Sequence, residues 1–240
     1  MNRIAVAETL RRHVTHAGFG AYVALLVILG FGSAGFARAS SLWPSMVALL
    51  AIVAGAGAIG PEFSSGTLQL ILVKPVNRAV YLLSRVAGIV LAVWIGAAFA
   101  ASAELLGRTL WAHGLGLGIV ASVFVNACAA AILVCSLLAL FGSVTRAYFN
   151  AAIYVVLHIG LSVGGGVLAM ARAMPTAAGA FLTAHPIVEQ SVDAVERNLF
   201  PEVPPQLDRD WLLMVLSNAA VALLLACLAF RRREVPYGAD

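Results

Sequence analysis

The sequence predicts an all-α integral membrane protein with six transmembrane helices, and three observations carry that prediction. Hydrophobic residues make up 62% of the 240 residues and charged ones only 11%, where a soluble domain carries about a quarter. The mean hydropathy is +0.96. All nine prolines (Pro44, Pro61, Pro75, Pro175, Pro186, Pro201, Pro204, Pro205 and Pro236) fall at or outside the ends of long apolar runs. A proline inside a helix removes a hydrogen bond and clashes with the preceding turn, so this placement supports the same segmentation.

The elements follow in order. Residues 1–16 predict an amphipathic helix lying in the membrane surface. Ile4, Ala7, Leu10 and Val14 share one face, while Glu8, Arg12, Thr15 and His16 point elsewhere. This stretch has no continuous apolar core before Gly18, so it does not read as a cleavable signal peptide. A span needs about 20 mostly apolar residues, and the segments 17–37, 43–60, 79–103, 115–141, 149–171 and 211–230 qualify. The second is the weakest, its strongly apolar part running only from Met46 to Ile59. Residues 172–210 are expected to form a long external loop, within which Ile187, Val188, Val192, Val195 and Leu199 predict a short amphipathic helix.

Lysine and arginine set the orientation. With both termini cytoplasmic, the inner side holds ten basic residues and the outer side five, with seven of the eleven acids outside. The positive side stays in the cytoplasm, which predicts N-in and C-in and places the polar insert between the second and third spans inside. The glycine- and alanine-rich helices fit a bacterial inner membrane. The net charge of +4 sits at span ends rather than in a patch, so no nucleic-acid partner is expected. Cys128, Cys135 and Cys227 lie in apolar segments and read as small buried hydrophobes, with no metal-binding or disulfide pattern.

The insert is the informative stretch. Residues 60–85 read GPEFSSGTLQLILVKPVNRAVYLLSR and include the only lysine, Lys74. Gly60-Pro61 ends the second span. Ser64 or Ser65 can cap a very short helix over Gly66–Val73, apolar nearly all round through Leu68, Leu70, Ile71, Leu72 and Val73, which must bury itself against lipid or protein. Lys74-Pro75 stops it, and Asn77 caps the third span, with Arg78 and Arg85 at its cytoplasmic end. Glu62 sits at the membrane boundary, where a carboxylate is costly to dehydrate without a partner.

Glu62, then Gly66-Thr67-Leu68, a run of leucines, Pro75-Val76, Arg78 and Arg85, resembles the cytoplasmic loop of ABC-2 type permeases, the membrane subunits of ATP-driven exporters. More loosely, the surface helix, the six spans, the last long loop and the Arg231–Glu234 end fit the same family. Two residues depart from its pattern: Phe63 stands where members often carry a basic residue, and Arg85 replaces a lysine. The resemblance implies that residues 61–78 form a coupling loop docking into a cytoplasmic P-loop ABC ATPase, two copies of which would drive a pair of permeases (two copies of this chain, or one and a homologue). Glu62, Gly66, Thr67, Leu68 and Leu70 would belong to the coupling segment, and Pro75, Val76 and Arg78 to its return into the third span. ATP and magnesium would bind the partner. A P-loop needs lysine followed by serine or threonine, and Lys74 is followed by Pro75, so no cofactor, metal or catalytic residue is expected in this chain.

Asn150, Tyr154, His158 and Ser162 recur every four residues along the fifth span. They read either as a polar pathway lining or as a hydrogen-bonded helix seam. Gly30, Gly32, Gly35 and Gly164-Gly165-Gly166 would allow close helix approach. Glu104 and Arg108, four apart, predict an ion pair anchoring the outer end of the third span. The alternative to an exporter subunit is a non-transporting membrane scaffold or assembly factor of the same architecture. An ion-driven transporter is disfavoured, since no acid sits at mid-depth in any span.

Overall fold

A computed structural model of the chain describes residues 3–35, 41–56, 77–111, 116–145, 149–174, 176, 181 and 183–232. Among them the regular structure is helical and no strand occurs. Among the described residues eight helices succeed one another: α1 (Arg3–Val14), α2 (Ala17–Gly35), α3 (Trp43–Ala56), α4 (Arg78–Leu110), α5 (Leu117–Val144), α6 (Phe149–Ala173), α7 (Ile187–Leu199) and α8 (Arg209–Arg232). Five of them, α2, α4, α5, α6 and α8, are long and apolar enough to cross a membrane. The second expected span appears as α3, whose 14 described residues fall short of the roughly 20 a crossing needs; residues 57–60 lie outside the described set.

Helix ends depart from the hydropathy boundaries for local reasons. α4 runs on to Leu110 instead of stopping near 103, because Arg108 and Glu104 neutralise each other one turn apart and a helix needs no apolar residue to continue. α8 begins at Arg209, earlier than expected, because the Asp208 carboxylate accepts from the amides of Asp210 (2.9 Å) and Trp211 (3.3 Å), satisfying two donors that a helix start leaves open. The Asn77 side chain does the same for α4, accepting from Ala79 N at 3.0 Å.

The chain divides into two compact units. One comprises residues 1–151 and 203–240, the other residues 152–202. In the first, α4 packs against α1, α2, α3, α5 and α8, and α5 against α3, α4 and α8. Its core holds Leu26, Val47, Leu82, Ile89, Val93, Leu133, Leu138 and Phe230. In lipid there is little hydrophobic drive between helices, so close packing and interhelical hydrogen bonds hold them. Both are present. A Cβ on Gly30 would overlap the Ala100 carbonyl oxygen, so α2 and α4 meet backbone to backbone. Tyr22 donates to Met46 O (3.0 Å), Trp94 Nε1 to Cys128 O (3.1 Å), and Asn126 Nδ2 to Pro204 O and Gln206 O (2.9 and 2.8 Å).

Not every expected small-residue contact is used. Gly35 lies against the Trp111 ring, but no described atom comes within 4 Å of a Cβ placed on Gly32, Gly164 or Gly166. Glycine permits approach without specifying a partner, and among the described residues these three have none that close. In the second unit, α6 packs along α7. Tyr154 meets Phe200 edge-on at 4.9 Å, His158 lies 4.6 Å from the same ring, and Ser162 Oγ donates to Glu196 Oε1 at 2.5 Å.

Candidate functional site

Of the insert residues, Glu62, Gly66, Thr67, Leu68, Leu70, Pro75 and Val76, and with them the short helix expected over 66–73, lie outside the described residues. Arg78 is described. It opens α4 directly after the Asn77 cap, half-buried. The place where the insert rejoins the bundle can therefore be built from α4 outward.

Two turns into α4, Arg85 is 6% exposed. A guanidinium cannot shed its charge and presents five N–H donors, so its burial demands acceptors. One is Thr9 on α1, whose Oγ1 takes a bond from Arg85 Nη1 at 3.1 Å and itself donates to Ala5 O at 2.7 Å. Thr9 is fully buried. The approach depends on Gly88, where a Cβ would stand 2.6 Å from Thr9 Cβ and 2.9 Å from Val6 O. On the next turn of α1, His13 Nδ1 lies 2.8 Å from Thr9 O and Nε2 lies 3.3 Å from Ala54 O on α3. Carbonyls only accept, so a neutral ring satisfies one of them and a doubly protonated ring both.

α1 thus docks through Thr9 and His13 with the half-buried Ala5, Val6 and Leu10 beside them. Ile4 is 80% exposed, and Ala7, Glu8, Arg11, Arg12 and Val14 are also exposed. The sequence reading found the apolar face but not the docked one. The spacing of Thr9, His13 and His16 (i, i+4, i+7) was the available signal.

Between these helices lies a cavity of about 380 Å³ lined by Arg12, His13, His16, Gly18, Phe19, Tyr22, Leu50, Val53, Ala54 and Arg85. Its lining combines two arginines and two histidines with apolar and aromatic groups. No carboxylate is among the described lining residues.

The other end of α4 has a different character. Glu104 is fully buried. It accepts from Arg108 Nε and Nη2 (3.0 and 2.7 Å), Trp43 Nε1 (2.6 Å) and Ser41 Oγ (3.0 Å). Four donors meet a group with about four lone-pair sites. The ion pair was expected; Trp43 and Ser41, some sixty positions earlier, were not.

The polar stripe of α6 is shared out. Asn150 is buried, its Nδ2 3.2 Å from both Gly55 O and Leu138 O, so it bridges three helices. Tyr154, His158 and Ser162 face Phe200 and Glu196 as described above. Among the described residues no group of three or more histidine, cysteine, aspartate or glutamate side chains could hold a metal ion, and the three cysteines are unpaired thiols. Neither a family model nor a curated protein matches the chain.

Proposed function

We propose that this chain is the membrane subunit of an ATP-driven exporter of the ABC-2 type, with six crossings, both termini in the cytoplasm of a bacterial inner membrane, and its insert 61–78 engaging a separate ATPase. In that reading the segment 43–60 supplies the sixth crossing, and two such chains, or one and a homologue, face two ATPase copies that bind ATP and magnesium. The observation that carries the proposal is the insert itself: Glu62, Gly66-Thr67-Leu68, Pro75-Val76 and Arg78 in that order, on a polar segment joining two apolar helices.

The packing of α4 is compatible with a lever. The insert ends at the Asn77 cap, and the helix it feeds touches α1, α2, α3, α5 and α8. A displacement applied at Arg78 would therefore reach most of the first unit through one rigid element. Asn150, Tyr154 and His158 are engaged with carbonyls and an aromatic ring, which favours a seam over a pathway lining for that stripe.

Purification of the whole chain from host membranes, with wild type and Leu70→Asp compared, tests the reading. A soluble P-loop ATPase is expected to accompany wild type. Leu70→Asp should weaken its capture by at least about tenfold, since burying a leucine contributes roughly 1.5–3 kcal/mol. If no ATPase accompanies wild type, the exporter reading fails and a membrane scaffold replaces it.

A further inference from the structure

At His13 a single imidazole meets two acceptors that belong to two different helices. We infer that this ring is a pH-sensitive latch: its doubly protonated form ties α1 to α3, and loss of one proton releases that tie. The inference does not depend on the exporter reading.

The ring's two contacts are unlike. Nδ1 lies 2.8 Å from Thr9 O on α1 itself, and Nε2 lies 3.3 Å from Ala54 O on α3. A carbonyl only accepts, and a neutral imidazole carries a proton on one nitrogen alone. The closer contact claims that proton, since a bare Nδ1 would leave two lone pairs facing each other at 2.8 Å. In the neutral ring Nε2 therefore turns a lone pair toward Ala54 O. A second proton converts that repulsion into a charge-assisted hydrogen bond, roughly twice as strong as a neutral one. The bond to Thr9 O stays within one helical turn and survives in both states. The bond to Ala54 O joins two helices, so the proton acts on a tertiary contact. It is present at low pH and lost as pH rises through the range in which histidine gives up its charge.

The neighbours leave few other groups to produce such a response. Among the described residues, Arg12 and His16, Tyr22 from α2 and Arg85 from α4 border the same cavity as His13, and α3 carries no titratable side chain. Arginine stays charged and tyrosine neutral across about pH 5–8, where histidine changes state. Of these groups only the two histidines change charge there. His16 is exposed, and its Nδ1 accepts from Gly18 N at 3.1 Å within the turn between α1 and α2, a bond that reaches no third helix. Position gives the latch its consequence. Ala54 precedes the insert and Arg85 follows it, and α1 reaches both, through His13 and through Thr9 one turn earlier. With the latch closed α1 braces both flanks of the insert; with it open α1 keeps the Thr9 bond on the later flank alone.

The test is backbone hydrogen exchange of the full chain in detergent, with wild type and His13→Gln compared at the same pH so that intrinsic exchange cancels. At about pH 5.5 residues 3–14 should exchange about tenfold more slowly in wild type than in the variant, the scale of a hydrogen bond to a charged group. At about pH 8 the two should agree within about twofold. A ratio that is the same at both pH values overturns the latch, and so does one that grows as pH rises. His16→Gln should leave the wild-type response unchanged; its loss in that variant would overturn the assignment to His13. A second reading needs no substitution. Nitrogen-15 spectra of the histidine rings in wild type should show one ring protonated on both nitrogens while α1 is protected and on one nitrogen once that protection falls. If no ring changes state in step with α1, the latch is overturned. None of these outcomes bears on ATPase capture, which the Leu70→Asp comparison decides separately.

Discussion

α4 carries a buried charge near each end, and the two ends treat it differently. Arg85 and Glu104 are 19 residues apart, about 28 Å at ~1.5 Å per residue, close to the ~30 Å thickness of the hydrocarbon layer. At Glu104 the carboxylate meets its countercharge on Arg108 and has Trp43 and Ser41 on the remaining positions. At Arg85 the buried cation joins α1 through Thr9 and borders a cavity with further basic groups. A charge enclosed by its own partners serves as a fixed point. Arg85 instead ties α4 to a second helix, α1.

The largest effect is expected from opening the closed end. Glu104→Gln keeps the shape but removes the charge facing Arg108, and breaking a buried pair on one side costs about 3–5 kcal/mol. Thermal unfolding in detergent should show the largest fall of any substitution considered, with Trp43 fluorescence shifting as its indole loses a charged acceptor. A change no larger than that of a surface variant would mean the cluster is not the anchor its geometry implies.

A smaller effect is expected at the other end. Gly88→Ala places a Cβ against Thr9 and Val6 O, and relieving such an overlap costs roughly 1–3 kcal/mol. Because α4 is also held by α2, α3, α5 and α8 while α1 packs mainly on α4, backbone hydrogen exchange should rise in residues 3–14 while α4 stays protected. Uniform exchange changes in both helices would instead show that the two ends are equally rigid, erasing the contrast. The smallest effect belongs to Ser162→Ala in the second unit. Its hydroxyl bonds Glu196 in an exposed setting, so a loss of about 1 kcal/mol or less is expected in the unfolding profile.

Much of this fold was readable in the chain because lipid leaves so few options. A backbone that must satisfy its own hydrogen bonds can only be helical across apolar runs, and the prolines mark where those runs stop. Hydropathy, however, reports where a helix is dry, not where it ends. α4 continues through Glu104 and Arg108 because they satisfy one another, and α8 begins at the Asp208 cap. The docked face of α1 was hidden for another reason: Thr9 finds Arg85 76 positions away, and no local pattern announces so distant a partner. Trp43 and Glu104 are the same case. The insert is the converse. Its residues carry the motif in the sequence, while within the structure only Arg78 and the Asn77 cap are described.

The long reach between Thr9 and Arg85 also bears on biogenesis. α1 leaves the ribosome before α4, so Thr9 emerges when its partner has not yet been made. At about 5–20 residues per second, the intervening 76 residues take roughly 4 to 15 s to synthesise. Throughout that interval Thr9 lacks the Arg85 contact. α1 locks against α4 only when Arg85 and Gly88 arrive, which makes this contact a late assembly step joining two helices made well apart in time.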